Sequence, residues 1–234
     1  MEPTTKMRWR MVGGWFVGGL RVMGRWALPL GLTTAVVLAF ARVLALSGAD
    51  RSFADWLMTG RPEGFVHGAY EASHWGELQL APLLGLLVLL VAGRFFKQVR
   101  WVWGAFAGVF AGASAGLLAL VLKFIIGRPR PYLHVANQLS WFARSSAYES
   151  FPSGHTTHCF AVAAAVVVLA PSWGVLFMAG ATVVAWSRLY LWKHYLSDVL
   201  AGAGLGVLIG VAFALAVRRW LEERAGGTTK KTAP

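Results

Sequence analysis

The sequence predicts an all-α polytopic membrane protein in which six transmembrane helices pack as a bundle. Three observations lead there. Hydrophobic residues make up 57% of the 234 residues and the mean hydropathy is +0.57, well above an ordinary soluble domain. Charged residues are only 14%. Six apolar runs, at about 28–46, 78–93, 102–122, 156–170, 173–188 and 197–217, approach the ~20 residues that a bilayer-spanning helix needs.

The elements follow in chain order as a cytoplasmic N-terminal segment over 1–27, a six-helix membrane domain over 28–221, and a polar, disordered cytoplasmic tail over 222–234. Ser47 and Ala49 resemble a signal cleavage site, but the first apolar run is too long for a signal core and reads as a retained helix. Arg42 within it reads as a snorkelling or paired side chain. The link 47–77 reads as an outward loop; His67 and His74 lie in it without acidic residues at metal-ligand spacing. The third run carries Gly104, Gly108, Gly112 and Gly116, and the sixth carries Gly202, Gly206 and Gly210. Glycines four apart form a groove for a neighbouring backbone, so both stripes read as packing faces. Cys159, the single cysteine, sits in an apolar run and reads as a packing residue. Trp26, Trp75, Trp101, Trp103, Trp173 and Trp220 lie near run ends, as interfacial anchors do.

The net charge of +12 is distributed by topology. Lys6, Arg8, Arg10, Arg21, Arg25, Arg94, Lys97, Arg100, Arg218, Arg219, Arg224, Lys230 and Lys231 fall on one side of the predicted membrane; eight lysines and arginines fall on the other. The positive-inside rule places both termini in the cytoplasm, and the links 47–77, 123–155 and 189–196 outside. This pattern argues for anionic lipid head groups as neighbours and against nucleic acid.

Three polar clusters lie at the outward ends of the runs. The first is Lys123 with Arg128, Pro129, Arg130 and Pro131. Lysine alone reads equally as an interfacial anchor, but the prolines fix the backbone that presents Arg128 and Arg130, and rigid guanidinium groups suit phosphate oxygens. The second is Pro152, Ser153, Gly154 and His155. Ser153 and Gly154 read first as a helix cap; the same helix start favours an anion, beside which His155 could protonate a leaving oxygen. The third is Ser187, Arg188, His194 and Asp198. His194 and Asp198 share a helix face if the segment is helical, and a carboxylate bonded to one imidazole nitrogen leaves the other free to attack. Such a pair by itself is commonly structural. It gains weight because all three clusters fall on one predicted membrane face.

Together the clusters resemble the type 2 phosphatidic acid phosphatase superfamily, whose pattern is Lys-x6-Arg-Pro, Pro-Ser-Gly-His and Ser-Arg-x5-His-x3-Asp. The chain has Lys123 six residues before Arg130-Pro131, then Pro152 to His155, then Ser187-Arg188, His194 and Asp198. The resemblance implies a metal-independent membrane phosphatase that needs no cofactor. It implies His194 as nucleophile, Asp198 orienting it, and His155 as acid and base. Lys123, Arg130, Arg188, Ser153 and Gly154 would hold the phosphate. His158, Lys193 and Arg128 are possible accessory residues. His134 and Arg144 lie in the outward loop, within reach of a head group.

The implied partners are the bilayer and a lipid phosphate: a polyprenyl diphosphate, phosphatidic acid, phosphatidylglycerol phosphate or a lipid A phosphate. Carrier-lipid diphosphate is the first expectation, and the bacterial inner membrane, with the site on its outer face, the expected location. The alternative is a non-catalytic lipid-phosphate binder, which predicts loss of a motif group, and none is missing. A soluble vanadate-holding haloperoxidase and a transporter with inverted repeats both fit the six runs less well.

Overall fold

The computed structural model describes residues 31–229 apart from 34, 60, 78–79, 136–138 and 143, and leaves undescribed the side chains of 77, 80 and 225–229. The N-terminal segment with its five basic residues, Trp26, and the last five residues lie outside the described residues. All regular structure among the described residues is helical: α1 (Gly31–Leu46), α2 (Ala49–Met58), α3 (Glu63–Glu77), α4 (Leu80–Phe95), α5 (Val99–Ile126), α6 (Gly154–Leu169), α7 (Pro171–Tyr190) and α8 (Leu196–Thr229), with 3-10 turns at Pro131–Leu133 and Ser146–Tyr148.

The described residues of each apolar run fall within a helix, apart from Ala170, which caps α6. The polar link 47–77, expected as a loop, is instead mostly helical. α2 begins after Gly48, which takes a left-handed conformation (φ 76°), and turns Asp50 and Ala54, four apart, inward while Trp56 stays exposed. The tail also departs from expectation. α8 runs to Thr229 rather than ending near 221, helped by i,i+4 ion pairs Arg218–Glu222 (2.9 Å) and Arg219–Glu223 (3.2 Å).

α6 is the central helix. It packs most extensively on α8, then on α5 and α7. Its alanines at 161, 163, 164 and 165 are almost fully buried. The glycines of α8 permit this: a Cβ on Gly206 would sit 2.4 Å from the Thr157 carbonyl oxygen, and one on Gly210 would sit 2.3 Å from that of Ala161. These contacts advance together along both chains, so α6 and α8 run parallel and α7 is the return between them. α5 is antiparallel to α6, since Gly104 meets Leu169 whereas Lys123 meets Gly154. One end of the bundle thus gathers the end of α5, the start of α6, the end of α7 and the start of α8. The opposite end carries edge-to-face pairs of Trp101 with Trp173 (5.9 Å) and Trp103 with Trp220 (4.7 Å).

Large apolar side chains project outward from α1, α4, α5 and α7, among them Phe40, Leu87, Phe110, Leu117 and Leu176. A surface of this kind belongs in lipid, and the chain is an integral membrane protein. Among the described residues, two helical stretches are long and apolar enough to cross a bilayer by themselves, Val99–Leu133 and Leu196–Arg224. Two bent pairs, Gly31–Leu46 with Ala49–Met58 and Glu63–Gly76 with Ala81–Phe95, raise the number to four. That is fewer than the six expected: α6 is apolar but only 16 residues long and lies within the bundle, and α7, although 20 residues long, is not among these stretches.

Candidate active site

Each predicted site residue sits where a helix stops or starts. α5 ends because Gly127 adopts a left-handed conformation (φ 53°), its N–H reaching back to the Lys123 carbonyl (3.0 Å), and two prolines follow. This leaves Lys123 on the last turn; a Cβ on Gly154 would lie 3.6 Å from its Nζ. α6 starts at Ser153, which is fully buried and splices the two parallel helices. Its N–H donates to the Asp198 carbonyl (3.0 Å) and its hydroxyl accepts from Thr156 Oγ1 (2.9 Å).

The three clusters converge. Arg188, His194, Lys123 and Arg130 all lie near enough to His155 to act on it electrostatically, and Asp198, Arg188 and Lys123 act likewise on His194. His155 Nε2 is buried without a hydrogen-bond partner among the described residues. Arg130 is held by the Ser146 carbonyl (2.9 Å) and Arg188 by the Ser73 hydroxyl of α3.

The environment of His194 corrects the expected geometry. The Asp198 carboxylate does not hold the imidazole directly, since Asp198 Oδ2 is 3.8 Å from Nδ1. The partner of Nδ1 is the Ser150 carbonyl oxygen at 2.7 Å. A carbonyl can only accept, so Nδ1 carries the proton and Nε2 keeps its lone pair. Asp198 acts one step removed. Its carboxylate accepts from the Ser150 hydroxyl (2.6 Å), the Tyr195 N–H (2.8 Å) and Arg128 (2.5 Å), and so fixes the segment that presents the Ser150 carbonyl.

Arg128 is corrected too. Expected to meet phosphate, it is buried and bridges two carboxylates, Asp198 at 2.5 Å and Asp50 at 2.9 Å, while donating to the Ser197 hydroxyl (2.7 Å) and lying 4.3 Å over the Tyr195 ring. Asp50 further accepts from the Ser197 N–H (2.9 Å). Lys193 lies 5.4 Å over the Tyr132 ring. His134 pairs with Arg51 (3.0 Å) at the edge of α2, and Arg144 is exposed. Sequence reasoning missed Asp50, Ser73, Ser150 and Ser197. The one available signal was a lone aspartate directly after an apolar run. Among the described residues no group of three or more His, Cys, Asp or Glu side chains is placed to hold a metal ion.

His194 lies in the link between α7 and α8. Its burial, only partly opposed by Asp198, holds the imidazole down at about 3, against an ordinary value near 6.5. It is therefore neutral at physiological pH, the state that the role expected of it from the sequence requires. In acid the unfolded chain takes up a proton that the folded imidazole refuses. This contribution to stability is complete above about pH 6.5 and is lost as the pH falls through about 3. Melting of the detergent-solubilised protein between pH 7 and 4 should therefore decline less steeply in His194→Gln than in the parent. Identical slopes would contradict the assignment.

The pattern of the PAP2 superfamily matches residues 104–223, slightly more than half of the chain. The chain belongs to the PAP2 superfamily. The chain is 40% identical over 124 residues to a lipid A 1-phosphatase of Rhizobium johnstonii, covering 52% of this chain and 50% of that one. It is 29% identical over 132 residues to an undecaprenyl-diphosphatase of Bacillus subtilis, covering 53% and 67%. The chain thus matches about half the length of the lipid A 1-phosphatase. The fold is similar to that of a transmembrane PAP2-type phosphatidylglycerolphosphate phosphatase from Bacillus subtilis, with a TM-score of 0.58 and 24% identity, over 80% of this chain and 96% of that one.

Proposed function

We propose that this PAP2 protein is a lipid phosphate phosphatase working through a phospho-histidine. The observation that carries the reading is the bond from His194 Nδ1 to the Ser150 carbonyl, which leaves Nε2 unprotonated beside the cations at the start of α6. In the first step Nε2 attacks phosphorus and the bond to the lipid oxygen breaks, with His155 giving that oxygen a proton. In the second, water attacks the phospho-histidine, His155 takes a proton from it, and the P–N bond breaks to release inorganic phosphate. Lys123, Arg130 and Arg188, with Ser153 and the Gly154 N–H, neutralise the phosphoryl oxygens through both steps.

The six apolar runs each span the bilayer in this reading, α6 and α7 included, with both termini cytoplasmic and the site at the outer face. A lipid A-type 1-phosphate and a polyprenyl diphosphate are the favoured substrate types, on the likeness to the relatives above. A non-catalytic lipid-phosphate binder remains the opposing reading, and no geometric feature favours it. The test is phosphate release from a panel of lipid phosphates by detergent-purified protein in excess chelator. Release that persists under chelation is the expected result. Release abolished by chelator and restored by magnesium would defeat the proposed mechanism.

A further inference from the structure

The cavity lined by Lys123, Gly154 and His155, and also by His158, belongs to the site described above. A second cavity, of about 360 Å³, shares no lining residue with it. It lies between α1, the end of α5 and the link that follows. Its apolar walls include Leu38 and Ala45 of α1, Ile126, Leu139, Trp141 and Phe151. The link is fastened in place there. The Ser140 N–H donates to the Gly127 carbonyl (2.8 Å) and the Phe142 N–H to that of Ile125 (3.2 Å). The volume falls within the ~300–1,000 Å³ of ligand clefts, and the apolar walls suit hydrocarbon.

Two guanidinium groups interrupt these walls, those of Arg42 and Arg128. Arg128 is matched by Asp50 and Asp198. Arg42 is exposed, and among the described residues no hydrogen bond or ion pair holds it. A cation on a lipid-facing helix is unfavourable unless it meets water or an anion. Arg42 stands one turn before the end of α1 at Leu46, about 6 Å along the axis. The groove also takes in Ile126 and Arg128, at the end of the bundle that carries the site. There α5 stops, and hydrocarbon gives way to head groups. A zwitterionic lipid in the groove would leave the charge of Arg42 uncompensated, whereas an anionic one cancels it.

We propose that this groove binds an anionic phospholipid of the surrounding bilayer, with its phosphate on Arg42 and an acyl chain along the apolar wall. The lipid is held and not turned over, since neither His155 nor His194 lines the groove. The snorkelling or paired role read from the sequence for Arg42 thus becomes pairing with lipid.

The test uses the full chain, delipidated in a neutral detergent, and reads its melting temperature as phosphatidylglycerol or phosphatidylcholine with the same acyl chains is added. The parent is expected to gain about 5 °C from saturating phosphatidylglycerol and much less from phosphatidylcholine. Arg42→Gln should melt with the parent when no lipid is added and lose most of that gain. Arg42→Lys should keep part of it. Arg100→Gln, at the opposite end of the bundle, should keep all of it. Equal gains from the two lipids in the parent overturn the inference, as does a glutamine variant that keeps the gain. A glutamine variant that melts well below the parent without lipid also overturns it, because Arg42 would then be paired within the fold. No turnover is read, so the phosphatase reading stands or falls separately.

Discussion

His194→Ala is expected to lower kcat by at least about a thousandfold on every lipid phosphate that the parent hydrolyses. The imidazole supplies the attacking atom, and among the described residues the other histidine at the phosphate site, His155, already serves the leaving oxygen in this scheme. The folded state should suffer much less. The substitution removes one hydrogen bond to a backbone carbonyl, whose net worth is about 1 kcal/mol, and opens a small cavity. The pairing of lost turnover with a nearly intact melting transition is the informative result. Turnover within tenfold of the parent would remove His194 from the chemistry.

The second large effect is expected at Arg128. Its guanidinium holds two buried carboxylates, Asp50 and Asp198, at 2.9 and 2.5 Å. Both partners are at most 3% exposed, so water cannot take over if the cation is lost. Removing one member of a buried ion network commonly costs about 3–5 kcal/mol, and here two like charges would face each other. Arg128→Met should therefore destabilise the protein by about that much, measured by thermal or denaturant unfolding in detergent. Turnover should fall with it, because Asp198 steadies the Ser150 segment that orients His194. Asp50→Asn should cost less, since it leaves the Arg128–Asp198 pair in place. Should Arg128→Met unfold like the parent while only substrate KM rises, Arg128 would be a phosphate ligand after all.

The Arg128 case shows how far the sequence could be read. Its flanking prolines correctly announced a rigid presentation, because proline restricts backbone angles wherever it stands. They could not announce the target. Asp50 lies 78 residues away in sequence, on a helix that is hidden in a link of mixed polarity, and the contact exists only after α2 folds over the site. Ser73 reaches Arg188 from 115 residues away for the same reason. By contrast, Lys123 to Arg130, Pro152 to His155 and Arg188 to Asp198 are local patterns, each closing or opening one helix, so spacing alone carried them. His194 and Asp198 were expected on one helix face, but His194 lies in the link before α8; the carbonyl that binds its ring belongs to Ser150, and a backbone atom leaves no mark in residue identity. The apolar runs were legible as helices through composition. Their service as spans depends on length and burial, and α6, short and enclosed, shows that an apolar run can serve the interior of a bundle as readily as its lipid face.

The most direct measurement is a rapid-quench experiment with a lipid phosphate carrying radiolabelled phosphorus, followed by peptide mapping of the trapped enzyme. The account predicts a label that survives alkali, is lost in acid as P–N bonds are, and maps to the peptide containing His194. A label stable to acid, or one placed on a serine, a carboxylate or another histidine, would contradict it.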